Sequence, residues 1–214
     1  MSFVSAFITK DFASIMSDGQ VTGDNRESIQ EDYKKIIKVN NFLIGFTGNG
    51  VAPVELIKAG IKATSEAIGK EALNIDLLIM LIKECLSKYV EHINAEINIV
   101  LIGFNKKTPV IATFTLKQSK IHEERIEFRE NLYRLITLCP FDYRLEDGSE
   151  GIRFIEKLNG IEESEINLAK ITEMQREMND FVADNSITVN KYVFSEYLRN
   201  DNLWYVKSQK WRRY

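Results

Sequence analysis

A chain of 214 residues, 44% hydrophobic and 28% charged with three prolines, has the balance of one globular domain, and no Pro/Gly-rich stretch divides it. A formal net charge of -3 supplies no basic field, which excludes global attraction to nucleic acid or to an anionic membrane. No run approaches the ~20 apolar residues of a membrane span, no signal-peptide pattern opens the chain, and the two cysteines, Cys85 and Cys139, sit in apolar stretches; inert thiols in a reducing cytoplasm are the expectation.

Three strand-like runs come first. Phe3 to Thr9 begins directly behind Ser2, Phe12 to Ser17 ends in Asp18-Gly19-Gln20-Val21-Thr22, and a third opens with Lys34-Lys35 before Ile36 to Val39. It continues through Asn40-Asn41 into Phe42 to Phe46 and the turn Thr47-Gly48-Asn49-Gly50. Val51 to Ile68 then repeats Ile57, Ile61, Thr64 and Ile68 at helical spacing. A longer helix is predicted over Ile75 to Ala95, capped by Asn74 and striped by Ile75, Leu78, Ile79, Ile82, Leu86, Tyr89, Val90 and Ile93. Ile97 to Phe104, dense in β-branched residues, predicts a buried strand, and Asn105-Lys106-Lys107 turns it into Pro109 to Leu116. Ile121 to Phe128 alternates apolar and charged residues, as a strand with one wet face does, and Leu132 to Leu138 is the next strand.

Behind Asp147-Gly148-Ser149 a short helix is predicted with Ile152, Ile155 and Leu158 inward, ended by Asn159-Gly160. Ser164 to Ala183 is striped by Ile166, Ile171, Met174, Met178 and Phe181, and Thr188 to Tyr197 reads as a closing strand. Runs of strands alternating with pairs of helices predict an α+β fold and suit two antiparallel sheets stacked face to face. Residues 1–200 form the single domain, and 201–214 a tail. From Trp204 onward the tail holds four basic residues, four aromatics and no acid. It suits docking on the domain or on another subunit; stacking on single-stranded nucleic acid, as a binding module does, is the alternative.

The chemistry starts at Ser2. If Met1 is removed, one residue carries both a hydroxyl and a free α-amine that titrates near pH ~8, so it supplies nucleophile and general base together. Asp18 by itself is a turn former and Lys35 a strand-face residue. His92, His122 and the two cysteines have no metal-ligand spacing, and the chain has neither a phosphate-binding glycine loop nor a G-x-S-x-G elbow.

Hydroxyl, carboxylate, ammonium and glycine turn, each at a strand end in that order, resemble the proteasome β-subunit family of N-terminal nucleophile (Ntn) hydrolases, most closely its bacterial HslV branch. Asp18-Gly19-Gln20-Val21-Thr22 is similar to the HslV pattern letter for letter. With Ser2 at the family's first residue, Asp18 falls on the family aspartate without a gap. Lys35 falls on the family lysine after one inserted residue, with Lys34 as its rival. The family's Gly-Ser pair is not found in the strand that aligns with it, Leu132 to Pro140, where Thr137 is the nearest hydroxyl; Gly148-Ser149 lies downstream.

The resemblance implies a four-layer αββα sandwich and cleavage of peptide bonds with Ser2, Asp18, Lys35 and Gly48 as site residues. Lys35, held by Asp18, would lower the Ser2 pKa, and the Gly48 N–H would face the oxyanion. It implies no metal or cofactor, a peptide or protein substrate, ring-shaped homo-oligomers and an ATPase unfoldase partner. The missing Gly-Ser pair keeps open a catalytically inactive structural subunit.

Overall fold

The computed structural model describes residues 2–23, 25–48, 51–91, 96–127, 133–140, 142–143, 148–200 and 209–211. Its first strands carry apolar side chains on both faces. In β1 (Val4–Ile8), Val4, Ala6 and Ile8 face one way into a core shared with a second sheet, while Phe7, and Phe3 just ahead of the strand, face the other way into a core beneath helices. A strand covered on both sides has no need of polar alternation, which is why Phe3 to Ile8 is apolar on both faces apart from Ser5.

β1 lies between β10 (Arg134–Leu138) and β2 (Phe12–Asp18), and β2 is flanked by β11 (Val193–Arg199), giving an antiparallel sheet completed by β12 (Gln209–Trp211). The second antiparallel sheet runs β5 (Ile36–Val39), β6 (Phe42–Gly48), β7 (Ile97–Asn105), β8 (Thr108–Lys117) and β9 (Lys120–Glu127) in sequence order. A small hairpin of β3 (Val21–Thr22) and β4 (Ser28–Gln30) stands apart. One core joins the two sheets face to face through residues such as Ile15, Leu43, Val100 and Ile111. A second lies between β6–β8 and helices α1 (Ala52–Ile68) and α2 (Ile75–Ser87); a third lies between β1 and helices α3 (Ser149–Asn159) and α4 (Leu168–Asn185). The layers are therefore helix, sheet, sheet, helix. α4 is fixed by a buried amide: Gln175 donates to the Ser5 carbonyl and accepts from Ser14 Oγ. No helix among the described residues is long and apolar enough to cross a membrane.

The alternation of strands and helix pairs matches the sequence reading, but the third run is two strands, β5 and β6, which Asn40-Asn41 turns into a hairpin with Asn40 at φ 47°, the β3–β4 hairpin is absent from that reading, and several boundaries differ. α2 stops at Ser87 instead of running to Ala95: Lys88, Tyr89 and Val90 donate to carbonyls three residues back, so the helix tightens and ends, and 92–95 lie outside the described residues. α3 buries Glu150, Phe154 and Leu158; Ile152 sits two residues, about 200°, off that face and is exposed. Ile68 is likewise exposed, because α1 ends there and the chain leaves through Gly69 at φ 86°. α4 begins at Leu168, where the Asn167 side chain caps Lys170 N–H, and Glu163–Glu165 form a separate turn. β11 begins at Val193, because Thr188 is turned to Asp142 and Asn190 ties the preceding loop to Gly19 and Glu31. β9 is an edge strand wet on both faces: Ile121 packs toward the helices and Ile126 toward the other sheet, while His122, Glu123, Glu124 and Arg125 are exposed. In the tail, Gln209–Trp211 extend the first sheet, and 201–208 and 212–214 lie outside the described residues.

Candidate active site

β2 and β6 end on the same side of the stacked sheets, and their last residues place the polar groups. Asp18 closes β2 fully buried. Its Oδ1 accepts the Phe3 N–H at 2.8 Å, and its Oδ2 accepts the Gln20 N–H at 2.8 Å and Lys35 Nζ at 2.9 Å. Lys35, immediately before β5 of the other sheet, is 3% exposed and also donates to the Gln20 carbonyl. The ion pair thus bridges the two sheets at one end. Three donors on one carboxylate and two acceptors on one ammonium satisfy both charges. Burial pushes the Asp18 carboxyl up and the Lys35 ammonium down, and the charge of each opposes the shift in the other.

The same end holds the N-terminal peptide. Thr47, the penultimate residue of β6, donates its hydroxyl to the Ser2 carbonyl at 2.8 Å. The Phe3 N–H bound by Asp18 belongs to that same peptide unit. One planar group is therefore gripped from both sheets, which fixes the direction in which the Ser2 side chain and amine leave it. Gly48 follows Thr47, opposite Ile97 of β7. Its φ of 137° is open to glycine alone, and a Cβ there would collide with the Glu96 carbonyl. Glycine at 48 is thus a requirement of the backbone as well as a candidate for chemistry.

Ser2, Lys35 and Gly48 line one cleft of about 50 Å³, walled by Tyr33, Val51 and Ile97 among others. That is room for a few waters. Asp18 stands behind Lys35, and the Ser2 hydroxyl makes no hydrogen bond among the described residues. Lys34, the rival lysine, pairs instead with the buried Glu196 of β11 at 2.5 Å.

Neither substitute for the Gly-Ser pair lines the cleft. Thr137 Oγ1 and Cys139 Sγ both reach Glu150 Oε1, at 3.3 and 3.4 Å, on the helix-facing side of β10, and Ser149 starts α3 beside that carboxylate. The Cys139 thiol is pushed up to about 12 by burial and by Glu150, and burial raises Cys85 as well, so neither is an activated thiol. His92 lies outside the described residues, and no group of three His, Cys, Asp or Glu among the described residues could hold a metal ion.

The sequence reading missed three supports. Thr47 has a detectable signal, a hydroxyl in the last position before the glycine turn. The Gln20 carbonyl, as a lysine acceptor, has none. Asn190, whose Oδ1 accepts the Gly19 N–H and whose Nδ2 donates to the Glu31 carbonyl, lies too far along the chain to be linked to Asp18 without the fold. Compared with known proteins, the chain matches no family model and no curated protein.

Proposed function

We propose that the protein is an Ntn hydrolase of the proteasome β-subunit and HslV type that cleaves peptide or amide bonds through Ser2. The observation that carries this reading is the meeting of Ser2, Lys35 and Gly48 in one cleft, with Asp18 joining Lys35 to the peptide that follows Ser2. In the reaction, the free Ser2 α-amine takes the hydroxyl proton as Oγ attacks the carbonyl carbon. The tetrahedral oxyanion forms against the Gly48 N–H. The amine then returns the proton to the leaving amine, and a water activated by the same amine releases the acyl group. Lys35, kept charged by Asp18, favours the Ser2 oxyanion. This chemistry needs no metal or cofactor. The same reading brings assembly into rings, an ATPase unfoldase partner and a cytoplasmic location.

Two forms of the chain test it: one starting at Ser2, the other retaining Met1. The first hydrolyses members of a broad fluorogenic peptide panel and the second does not, because an acylated nitrogen has no lone pair to act as base. Equal rates from the two forms would refute the mechanism.

A second reading, an inactive structural subunit of the same fold, is favoured by one observation. Thr137 of β10 and Ser149 of α3 lie at the Glu150 cluster and neither lines the Ser2 cleft, so among the described residues neither supports the Ser2 amine. Silence of the Ser2-starting form on every peptide, with self-association retained, selects that reading. The tail as a nucleic-acid module has less behind it, since Gln209–Trp211 are taken up in the first sheet.

A further inference from the structure

The end of the sandwich far from Ser2 carries a second, larger concavity. Register defines that end: Phe42 opens the strand that Gly48 closes, Phe104 lies at the other end of β7 from Ile97, and Arg199 pairs with Phe12 where Val193 pairs with Asp18. The cleft there has a volume of about 710 Å³, within the range of small-molecule sites. Its buried, apolar lining residues are Phe42, Leu73, Phe104 and Leu198.

Charge distinguishes it from an ordinary surface hollow. Lys70, Lys106 and Arg199 line it, all exposed, and none has a carboxylate partner among the described residues. Lys38 is already engaged by the Tyr197 carbonyl and Glu196, and Glu71 is the sole acid of the lining among the described residues. A chain with a net charge of -3 thus brings to one hollow three cations that have no carboxylate partner among the described residues, where low-dielectric walls focus their field. The rim is tied in place: Asn40 donates to the Lys70 and Leu73 carbonyls, and Asn200 donates to the Lys10 and Lys107 carbonyls at 2.6 and 2.9 Å. A concavity with an apolar floor, three cations in its lining and a tied rim suits one kind of ligand.

From this we infer that the far-end cleft binds a small amphipathic anion, a carboxylate or phosphate carried on an apolar body of about one aromatic ring. The apolar body covers Phe42 and Phe104, and the oxyanion takes Lys70, Lys106 and Arg199. The inference is independent of any catalytic role for Ser2.

Calorimetric titration with phenyl phosphate and with N-acetylphenylalanine tests it, against N-acetylphenylalanine amide, inorganic phosphate and a short single-stranded oligonucleotide. At least one amphipathic anion binds saturably, about ten-fold or more tighter than the neutral amide and than inorganic phosphate; which one binds better separates a phosphate source from a carboxylate source. The double change Lys70→Glu and Arg199→Glu, at exposed positions, weakens binding about ten-fold or more. The milder Lys106→Gln weakens it a few-fold, and Ser2→Ala leaves it unchanged. The inference is overturned if neither amphipathic anion binds, if the amide binds equally well, if the charge reversals change nothing while the melting temperature is retained, or if the oligonucleotide alone binds.

Discussion

Replacing Ser2 by alanine lowers peptide hydrolysis by about 10³-fold or more, because the step removed is bond formation itself. Stability barely changes. The Ser2 hydroxyl makes no hydrogen bond among the described residues, and both anchors of the N-terminal peptide, Thr47 to the Ser2 carbonyl and Phe3 N–H to Asp18, are unaffected by the side chain. The expected shift is within about 0.5 kcal/mol, as for substitutions that break no buried interaction. Ser2→Thr keeps measurable activity, since it preserves the hydroxyl beside the amine. Assay of the three proteins on one peptide, with urea midpoints measured in parallel, separates chemistry from folding. Equal turnover by wild type and Ser2→Ala at matched stability would remove Ser2 from the mechanism.

Asp18→Ala is expected to be the most damaging single change to stability, costing about 3–5 kcal/mol as loss of one partner from a buried ion pair does. The reason is local. Lys35, at 3% exposure with only the Gln20 carbonyl left, loses the charge that opposes its burial and is driven toward the neutral amine, and the N–H groups of Phe3 and Gln20 lose their acceptor. For a domain of this size the melting temperature falls by on the order of 10 °C. Breaking the exposed Lys62–Glu66 pair by contrast costs at most about 0.5 kcal/mol. Asp18→Asn combined with Lys35→Met removes both charges together, so the double variant is more stable than the sum of its single changes predicts. Activity is lost in all of them, because no ammonium stands beside Ser2. Thermal melts that place Asp18→Ala within about 1 kcal/mol of wild type would show that the pair carries little of the fold.

Much of this architecture was legible because burial on both faces leaves a plain mark. β1, β2, β6, β7 and β8 are runs of apolar residues bounded by turns, and α1 and α2 carry clear stripes on one face. Helix ends were less legible, since they are decided by competing short-range hydrogen bonds, as at Lys88 to Val90, or by a cap such as Asn167 that composition does not single out. Ile152 misled because an apolar side chain signals a core face only if its neighbours share the angle, and here Phe154 and Leu158 set that face.

At the site, the order of Ser2, Asp18, Lys35 and Gly48 could be read because each sits at a strand end. The choice between Lys34 and Lys35 could not. Consecutive residues of an extended chain point to opposite sides, and a shift of one residue exchanges the Asp18 partner for the Glu196 partner. Asn190 and the Glu150 cluster were illegible for a different reason, since their partners are brought close only by the stacking of β11, β10 and α3 on the first strands.

The most direct test of the central claim is covalent capture of the Ser2-starting chain with a peptide vinyl sulfone, the adduct being located by fragmentation mass spectrometry. The account predicts one adduct, on Ser2, absent from Ser2→Ala and from the chain that retains Met1, and much slower to form in Lys35→Met. An adduct on Cys85, Cys139 or any other side chain in place of Ser2, or hydrolysis of peptides by a chain whose Ser2 is never captured, would contradict it.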